Sequence, residues 1–143
     1  MNALNEQPIT IYGDGKNIRD WLYVSDHIDA LYLLLLKGEE GNSYNIGGNN
    51  QKTNLEVVEG ICNILDEILP RASDSGSFSY SDLITFIPDR PGHDFRYAID
   101  TNKIENHLNW RPKESFASGL RKTVIWYIEN QSWVATLTER IKS

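Results

Sequence analysis

DRPGHDFRYAID, Asp89 to Asp100, places two arginines, a Pro-Gly turn, a histidine and three aspartates between short apolar runs. A simple connector needs no such charge. Pro91 and Gly92 fix a turn, and glycine lets backbone N–H groups approach an anion closely. The best partner for this stretch is IRDWLYVSDH, Ile18 to His27, where Arg19 opens an aromatic, β-branched run. Alternation with period two puts Arg19, Trp21 and Tyr23 on one face. The two stretches read as two halves of one anion-binding cleft.

Each residue has a plainer reading beside the functional one. Arg19 is either a surface arginine paired with a local carboxylate or a guanidinium fork on a phosphate, where two parallel N–H bonds match two oxygens. His93 is a solvated loop residue or partner of Asp94, or else a donor to a phosphate or sugar oxygen. Arg96 ranks below Arg90 and can support the loop through Asp94 or Asp100. Asn45, before Gly47-Gly48, caps a turn or touches a ligand. Tyr12 is core or a flat wall for a base.

The 143 residues amount to one domain or a piece of a larger protein. With 40% hydrophobic residues a core can form, and the net charge of −6 comes without any basic stripe, so duplex nucleic acid is excluded as an expected partner. A few local arginines can still hold a phosphate in an acidic protein. The single cysteine, Cys62, permits no internal disulfide and reads as a buried structural thiol in a reducing compartment. The N-terminal MNALNEQP lacks a basic n-region, and the longest apolar run, LYLLLL, is too short to span a bilayer. A soluble, cytoplasmic chain without a membrane partner is expected. The three histidines have no metal spacing, and G-x-S-x-G, C-x-x-C and G-x-G-x-x-G are absent. Spacing therefore assigns no catalytic, cofactor-binding or metal-ligating residue.

Ile9 to Tyr12 reads as a strand ended by the Gly13–Gly15 turn, and Ile18 to Val24 as a second strand. Ser25 or Asp26 then caps a helix through Lys37 whose buried face is Ile28, Leu31, Leu34 and Leu35. Ser43 to Gly48 predicts a strand running into a Gly-Gly turn. Thr53 and Glu56 form a capping box for a helix with Leu55, Val58, Cys62, Leu65 and Leu69 inward, stopped by Pro70. The Ser-rich segment 71–82 predicts a mobile loop. Ile84 to Ile87 is a strand and Arg96 to Ile99 a short extended piece. Asp100 caps a short helix carrying Ile104 and Leu108, which Trp110, Arg111 and Pro112 break. Ser115 caps the last of about four helices, with Phe116, Leu120, Val124 and Tyr127 on one face. The tail, 134–143, has no pattern.

Taken in order, PITIYGDGKNIRDWLYVSDHIDAL, SYNIGG, DRPGHDFRYAID and NWRPKESFASGLRKTVIWYIEN resemble the C-terminal part of the dTDP-glucose 4,6-dehydratase family, extended short-chain dehydrogenases/reductases that act on nucleotide sugars. The resemblance runs from Pro8 to about Trp133. The R-D-W element is shared across the nucleotide-sugar superfamily, whereas DRPGHDxRYAID is narrower and favours the dehydratase. The resemblance implies that Thr10, Ile11 and Tyr12 stand at the element lining the nucleotide pocket. It also implies that Arg19 contacts the diphosphate, that Asn45 contacts substrate, and that Asp89, Arg90, Pro91, Gly92 and His93 close over the diphosphate of a dTDP-sugar. These are binding roles.

The family's chemistry uses bound NAD and lies in a Rossmann half whose motifs, G-x-x-G-x-x-G and Y-x-x-x-K, are not in this sequence. The fold class implied is α/β, an α+β-like fragment spanning 1–143: the substrate-binding lobe without that half. The chain alone is expected to bind no NAD and to be catalytically incompetent. It is also expected to self-associate, because the strand near Tyr44 lacks a neighbour and the helix around Leu31 is apolar over a wide arc. The alternatives are part of another nucleotide-sugar epimerase or dehydratase, or a non-catalytic sugar-nucleotide-binding or assembly module.

Overall fold

Two apolar strands far apart in sequence, Ile9–Tyr12 and Ile84–Ile87, meet side by side in parallel, so Tyr12 and the start of the DRPGH stretch lie at the same end of the ladder. The structure is a computed structural model that describes residues 1–73 and 76–142. The elements run β1 (Ile9–Tyr12), β2 (Ile18–Asp20), α1 (Val24–Lys37), β3 (Gln51–Thr53), α2 (Asn54–Ile68), β4 (Arg71–Ser73), β5 (Gly76–Phe78), β6 (Ile84–Ile87), α3 (Asn102–Leu108), α4 (Phe116–Glu129) and α5 (Gln131–Lys142). Single 3-10 turns lie at Ala3–Asn5 and Tyr80–Leu83. The strands form three two-stranded ladders: β1 with β6 in parallel, β2 with β3 antiparallel, and β4 with β5 antiparallel. Mixed helices and short strands match the α/β class expected.

The second strand is shorter than its aromatic run predicts. It ends at Asp20, whose carboxylate turns to accept from Gly48 N and Asn50 N, both at 2.7 Å. Trp21 N donates to Asn50 O at 3.0 Å, so the chain leaves the strand for a turn before α1 begins. The cap of α1 is Tyr23, in extended conformation, rather than Ser25 or Asp26. Asp26 lies inside the first turn, buried, and accepts from Glu114 N at 3.0 Å. Among the described residues the SYNIGG segment joins no ladder; it seats Gly47 and Gly48, both buried, against Asp20 and Trp21. Those glycines serve close packing on the β2–β3 ladder.

Of the four residues expected on the buried face of α1, only Leu34 packs on the core. Ile28 is 58% exposed, Leu31 48% and Leu35 82%, while Ala30 is fully buried and Leu33 and Leu34 pack inward beside it. A helix apolar nearly all round has no unique stripe for periodicity to choose. Small Ala30 allows the close approach of α3, whose Ile104 is fully buried with Trp110 in the same cluster. Thr101 rather than Asp100 occupies the cap position of α3, and Asp100 instead accepts from Asn102 N at 2.9 Å.

The second core joins α2 to α4 through Cys62, Leu65, Tyr80, Val124 and Ala3. Burial pushes the Cys62 thiol up, as expected of a structural cysteine. The capping box is present: the Thr53 hydroxyl accepts from Glu56 N at 3.1 Å and the Glu56 carboxylate accepts from Thr53 N at 2.8 Å. That backbone donor, with Lys52 and the Thr53 hydroxyl, lowers Glu56 to about 2. Ser115 caps α4 by accepting from Ser118 N, but Tyr127, expected inward, is 39% exposed and Ile128 packs on the core instead. The segment expected as a loop contains the β4–β5 hairpin, with residues 74 and 75 outside the described ones. The patternless tail continues as α5, which rests on α4 through Trp126 and Trp133 at 5.3 Å.

Candidate functional site

Period two on β1 turns Ile11 into the core, at 3% exposure, and leaves Thr10 and Tyr12 on the open face. Ile11 is therefore wall rather than contact surface. Gly13 N donates to Ile87 O at 2.9 Å, which carries the β1–β6 register past the strand ends and holds Tyr12 beside the DRPGH turn. There Asp89 Oδ1 accepts from Arg90 N at 2.9 Å and lies 2.7 Å from His93 Nδ1. The His93 bond is the largest cause holding the Asp89 carboxyl below its usual range. An ionised acceptor places the proton of a neutral imidazole on Nδ1. His93 N donates to Arg90 O at 3.2 Å, closing a tight turn in which Gly92 adopts φ 72°, a left-handed conformation suited to glycine. His93 packs edge-on to Tyr12 at 6.3 Å between centroids, and the Arg90 guanidinium lies 6.0 Å from the same Tyr12 ring. The plain reading that paired His93 with Asp94 gives way to Asp89, four residues before the histidine.

The other half of the cleft is stitched to this one by backbone. Ile18 N donates to Phe95 O at 2.8 Å and Tyr97 N to Ile18 O at 3.1 Å, a parallel bridge that lays 95–97 along β2. Buried Asn17 adds a bond from Nδ2 to Asp94 O. Arg19 donates from one terminal nitrogen to Ile18 O at 2.7 Å and from the other to Asp94 O at 2.9 Å, and its guanidinium stands 4.6 Å over the Tyr97 ring. No carboxylate pairs with Arg19 among the described residues, so the surface ion-pair reading fails. The Tyr97 hydroxyl donates to the Asp94 carboxylate, and this bond is the main reason its pKa rises, while the positive charges of Arg19 and Arg90 both oppose the rise. The two arginines thus lie within electrostatic reach of one phenol. Sequence reasoning passed over Tyr97; its place one residue beyond Arg96 in DRPGHDFRYAID was the available signal.

Two sequence-selected residues lie elsewhere. Asn45 donates to Asp100 O at 3.2 Å and, with His27, Tyr44, Ile46 and Ile99, lines a separate polar cavity of about 590 Å³. Arg96 spends both Nε and one terminal nitrogen on Gln51 Oε1, at 3.1 and 2.6 Å, rather than on Asp94 or Asp100. A further, aromatic cavity of about 590 Å³, walled by Trp21, Tyr23, Phe116, Trp126, Tyr127 and Trp133, includes none of the predicted site residues.

The residues present do not fit a dinucleotide. Gly13 and Gly15 follow β1 but lead into β2, not into a helix N-terminus that could receive a pyrophosphate. Among the described residues no cluster of metal-ligating side chains occurs, and no helix is long and apolar enough to cross a membrane.

Comparison with known proteins shows the family. The family model described as GDP-mannose 4,6 dehydratase matches residues 1–123. The dTDP-glucose 4,6-dehydratase of Neisseria meningitidis is 54% identical over 93% of this chain and 37% of its own length. Two solved structures named as dTDP-glucose 4,6-dehydratases superpose closely. That of Bacillus anthracis in complex with NAD has a TM-score of 0.77 at 45% identity, covering 92% of this chain and 38% of that one. That of Streptomyces venezuelae, also with NAD bound, has a TM-score of 0.79 at 38% identity, covering 92% and 37%. The chain therefore spans under two fifths of the length of these relatives. With residues 1–123 matched, the chain belongs to the GDP-mannose 4,6 dehydratase family, and its homologues there are dTDP-glucose 4,6-dehydratases, to whose C-terminal part it corresponds.

Proposed function

We propose that this chain is the nucleotide-sugar-binding portion of a dTDP-glucose 4,6-dehydratase, a cytoplasmic NAD-dependent lyase that converts dTDP-glucose to dTDP-4-keto-6-deoxyglucose. The observation that carries the reading is a pair of arginines on two segments bridged by backbone at Ile18 and Arg96, with Arg19 stacked over Tyr97 and Arg90 near Tyr12, which also packs on His93. Two guanidinium groups suit a diphosphate, because each presents a planar fork of N–H donors to paired oxygens. Tyr12 offers a face for the base, with Thr10 beside it, and the Asp89–His93 turn closes the phosphate end. Asn45, which donates to Asp100 O, is assigned a substrate contact of its own.

The remaining part of the enzyme supplies NAD and the reacting groups, and this chain alone is catalytically incompetent. Incubating the purified chain with dTDP-glucose and NAD should yield no 4-keto-6-deoxy product. Titrating it with dTDP should shift the amide resonances of residues 12–19 and 89–97. Turnover above a protein-free control, with host enzyme excluded, overturns the incompetence. Shifts confined to other segments overturn the binding assignment.

Alone, the chain also self-associates. Ile28, Leu31, Tyr32, Leu35 and Leu36 make a continuous exposed apolar arc on α1, and among the described residues the segment around Tyr44 and Ile46 has no ladder partner. Patches of this kind seldom stay open on a monomer, and pairing of like copies covers them at low cost. The net charge of −6 disfavours random aggregation. Sedimentation velocity should show a defined oligomer that becomes monomeric with Leu31→Glu and Leu35→Glu together. A parent that is monomeric at the highest concentration rules this out.

A further inference from the structure

We infer that Tyr97 is a positioning residue: its ring is the platform that holds the Arg19 guanidinium in the orientation in which its free N–H groups meet a diphosphate. The inference rests on the nucleotide-sugar reading of the cleft and adds a residue to it. Arg19 is a long, half-buried side chain that would sample many rotamers in water. Three restraints remove that freedom. Two backbone carbonyls, Ile18 O and Asp94 O, each take one N–H from a different terminal nitrogen at 2.7 and 2.9 Å. The Tyr97 ring then closes one face of the plane at 4.6 Å. Five N–H groups less two leaves three for a ligand. A guanidinium stacked on an aromatic face keeps its edge free for in-plane hydrogen bonds, which a carboxylate partner would have consumed.

The platform is itself fixed at both ends. Tyr97 N is bonded to Ile18 O at 3.1 Å, so the phenol and the arginine hang from neighbouring points of one backbone bridge. The phenol hydroxyl is bonded to the Asp94 carboxylate, and the backbone carbonyl of that same Asp94 receives Arg19. Ring, arginine and acid therefore form a closed triangle. Removing the ring should free the guanidinium, whereas removing the hydroxyl alone should leave it stacked.

The test separates this idea from the binding assignment beneath it. In the ligand-free chain, guanidinium NMR should show Arg19 with restricted rotation in the parent and in Tyr97→Phe, and averaged in Tyr97→Leu, with backbone shifts beyond the 94–98 neighbourhood unchanged. Titration with inorganic pyrophosphate should weaken by about twofold to fivefold in Tyr97→Leu, the span of an exposed cation–π contact. The same change made on top of Arg19→Ala should cost nothing further. An Arg19 that stays equally ordered in Tyr97→Leu overturns the inference. So does a loss of affinity that persists undiminished in the Arg19→Ala background. If the parent binds neither pyrophosphate nor dTDP, the diphosphate reading fails with the ligand role of Tyr97, and the rotation data alone decide whether the ring holds the arginine.

Discussion

Alanine at Gly48 is expected to destabilise the fold by more than any other single methyl added to this chain. A Cβ there would sit closer to the Trp21 carbonyl oxygen than real Cβ atoms approach backbone, and that oxygen has nowhere to go. Trp21 N is tied to Asn50 O at 3.0 Å and its indole Nε1 to Lys52 O at 3.3 Å. Gly48 N and Asn50 N are held from the other side by the Asp20 carboxylate, each at 2.7 Å. Relief of the clash must break this hook, leaving an anionic acceptor without two of its donors. Bonds to charged groups contribute about 1.5–3 kcal/mol each, so the loss should exceed about 3 kcal/mol. At this chain length that is a fall of roughly 6–12 °C in Tm. Gly41→Ala is the control. Gly41 has φ 75° but nothing within 4 Å of an added Cβ, so only backbone strain of about 1 kcal/mol applies. Urea unfolding of the three proteins decides the matter; a Gly48→Ala midpoint no lower than that of Gly41→Ala would falsify the hook.

The hook also explains what the sequence made legible and what it hid. Local chemistry read well where a few adjacent residues decide the outcome. The Thr53–Glu56 box, the Ser115 cap and the Pro91-Gly92 turn all satisfy their hydrogen bonds within a few positions. Long-range partners were not readable. Nothing in RDW says that Asp20 reaches 28 residues ahead to Gly48, so the aromatic run looked like a longer strand and the Gly-Gly pair like a turn end. On α1, apolar residues on nearly every side left Ala30 as the true contact point, and small size rather than hydrophobicity marked it. That the DRPGHDFR stretch and IRDW meet was legible, for Arg19 bonds Asp94 O and Ile18 bridges Arg96. The inner detail was not: the bond from His93 goes to Asp89, Arg96 goes to Gln51, Asn45 keeps company with Asp100, and Tyr97 stands beneath Arg19.

Exchanging either arginine of the cleft for lysine is expected to cut dTDP affinity about tenfold or more in a full-length relative that carries both. Lysine keeps the charge, so a purely Coulombic role would survive the exchange. The geometry of Arg19 demands more than charge. It gives one N–H to Ile18 O and another to Asp94 O while lying flat over Tyr97, and it still has donors left for a ligand. A single ammonium cannot satisfy two carbonyls, stack as a plane and present a fork at once. Arg90 lies 6.0 Å from the Tyr12 ring with its backbone N–H committed to Asp89, and no carboxylate pairs with its side chain among the described residues. Losing one charge-assisted contact costs about 1.5–3 kcal/mol, which is about tenfold to 150-fold in Kd. The exchanges act on separate anchors of one anion, so the double variant should weaken dTDP by close to the product of the single effects while thymidine, which lacks phosphate, binds each variant as it binds the parent. Calorimetric titration of parent, single and double variants with both ligands reads this directly. Parent-like dTDP affinity in both single variants would remove the diphosphate from this cleft, and an equal loss for thymidine would show that the exchanges had deformed the site rather than its anion contacts.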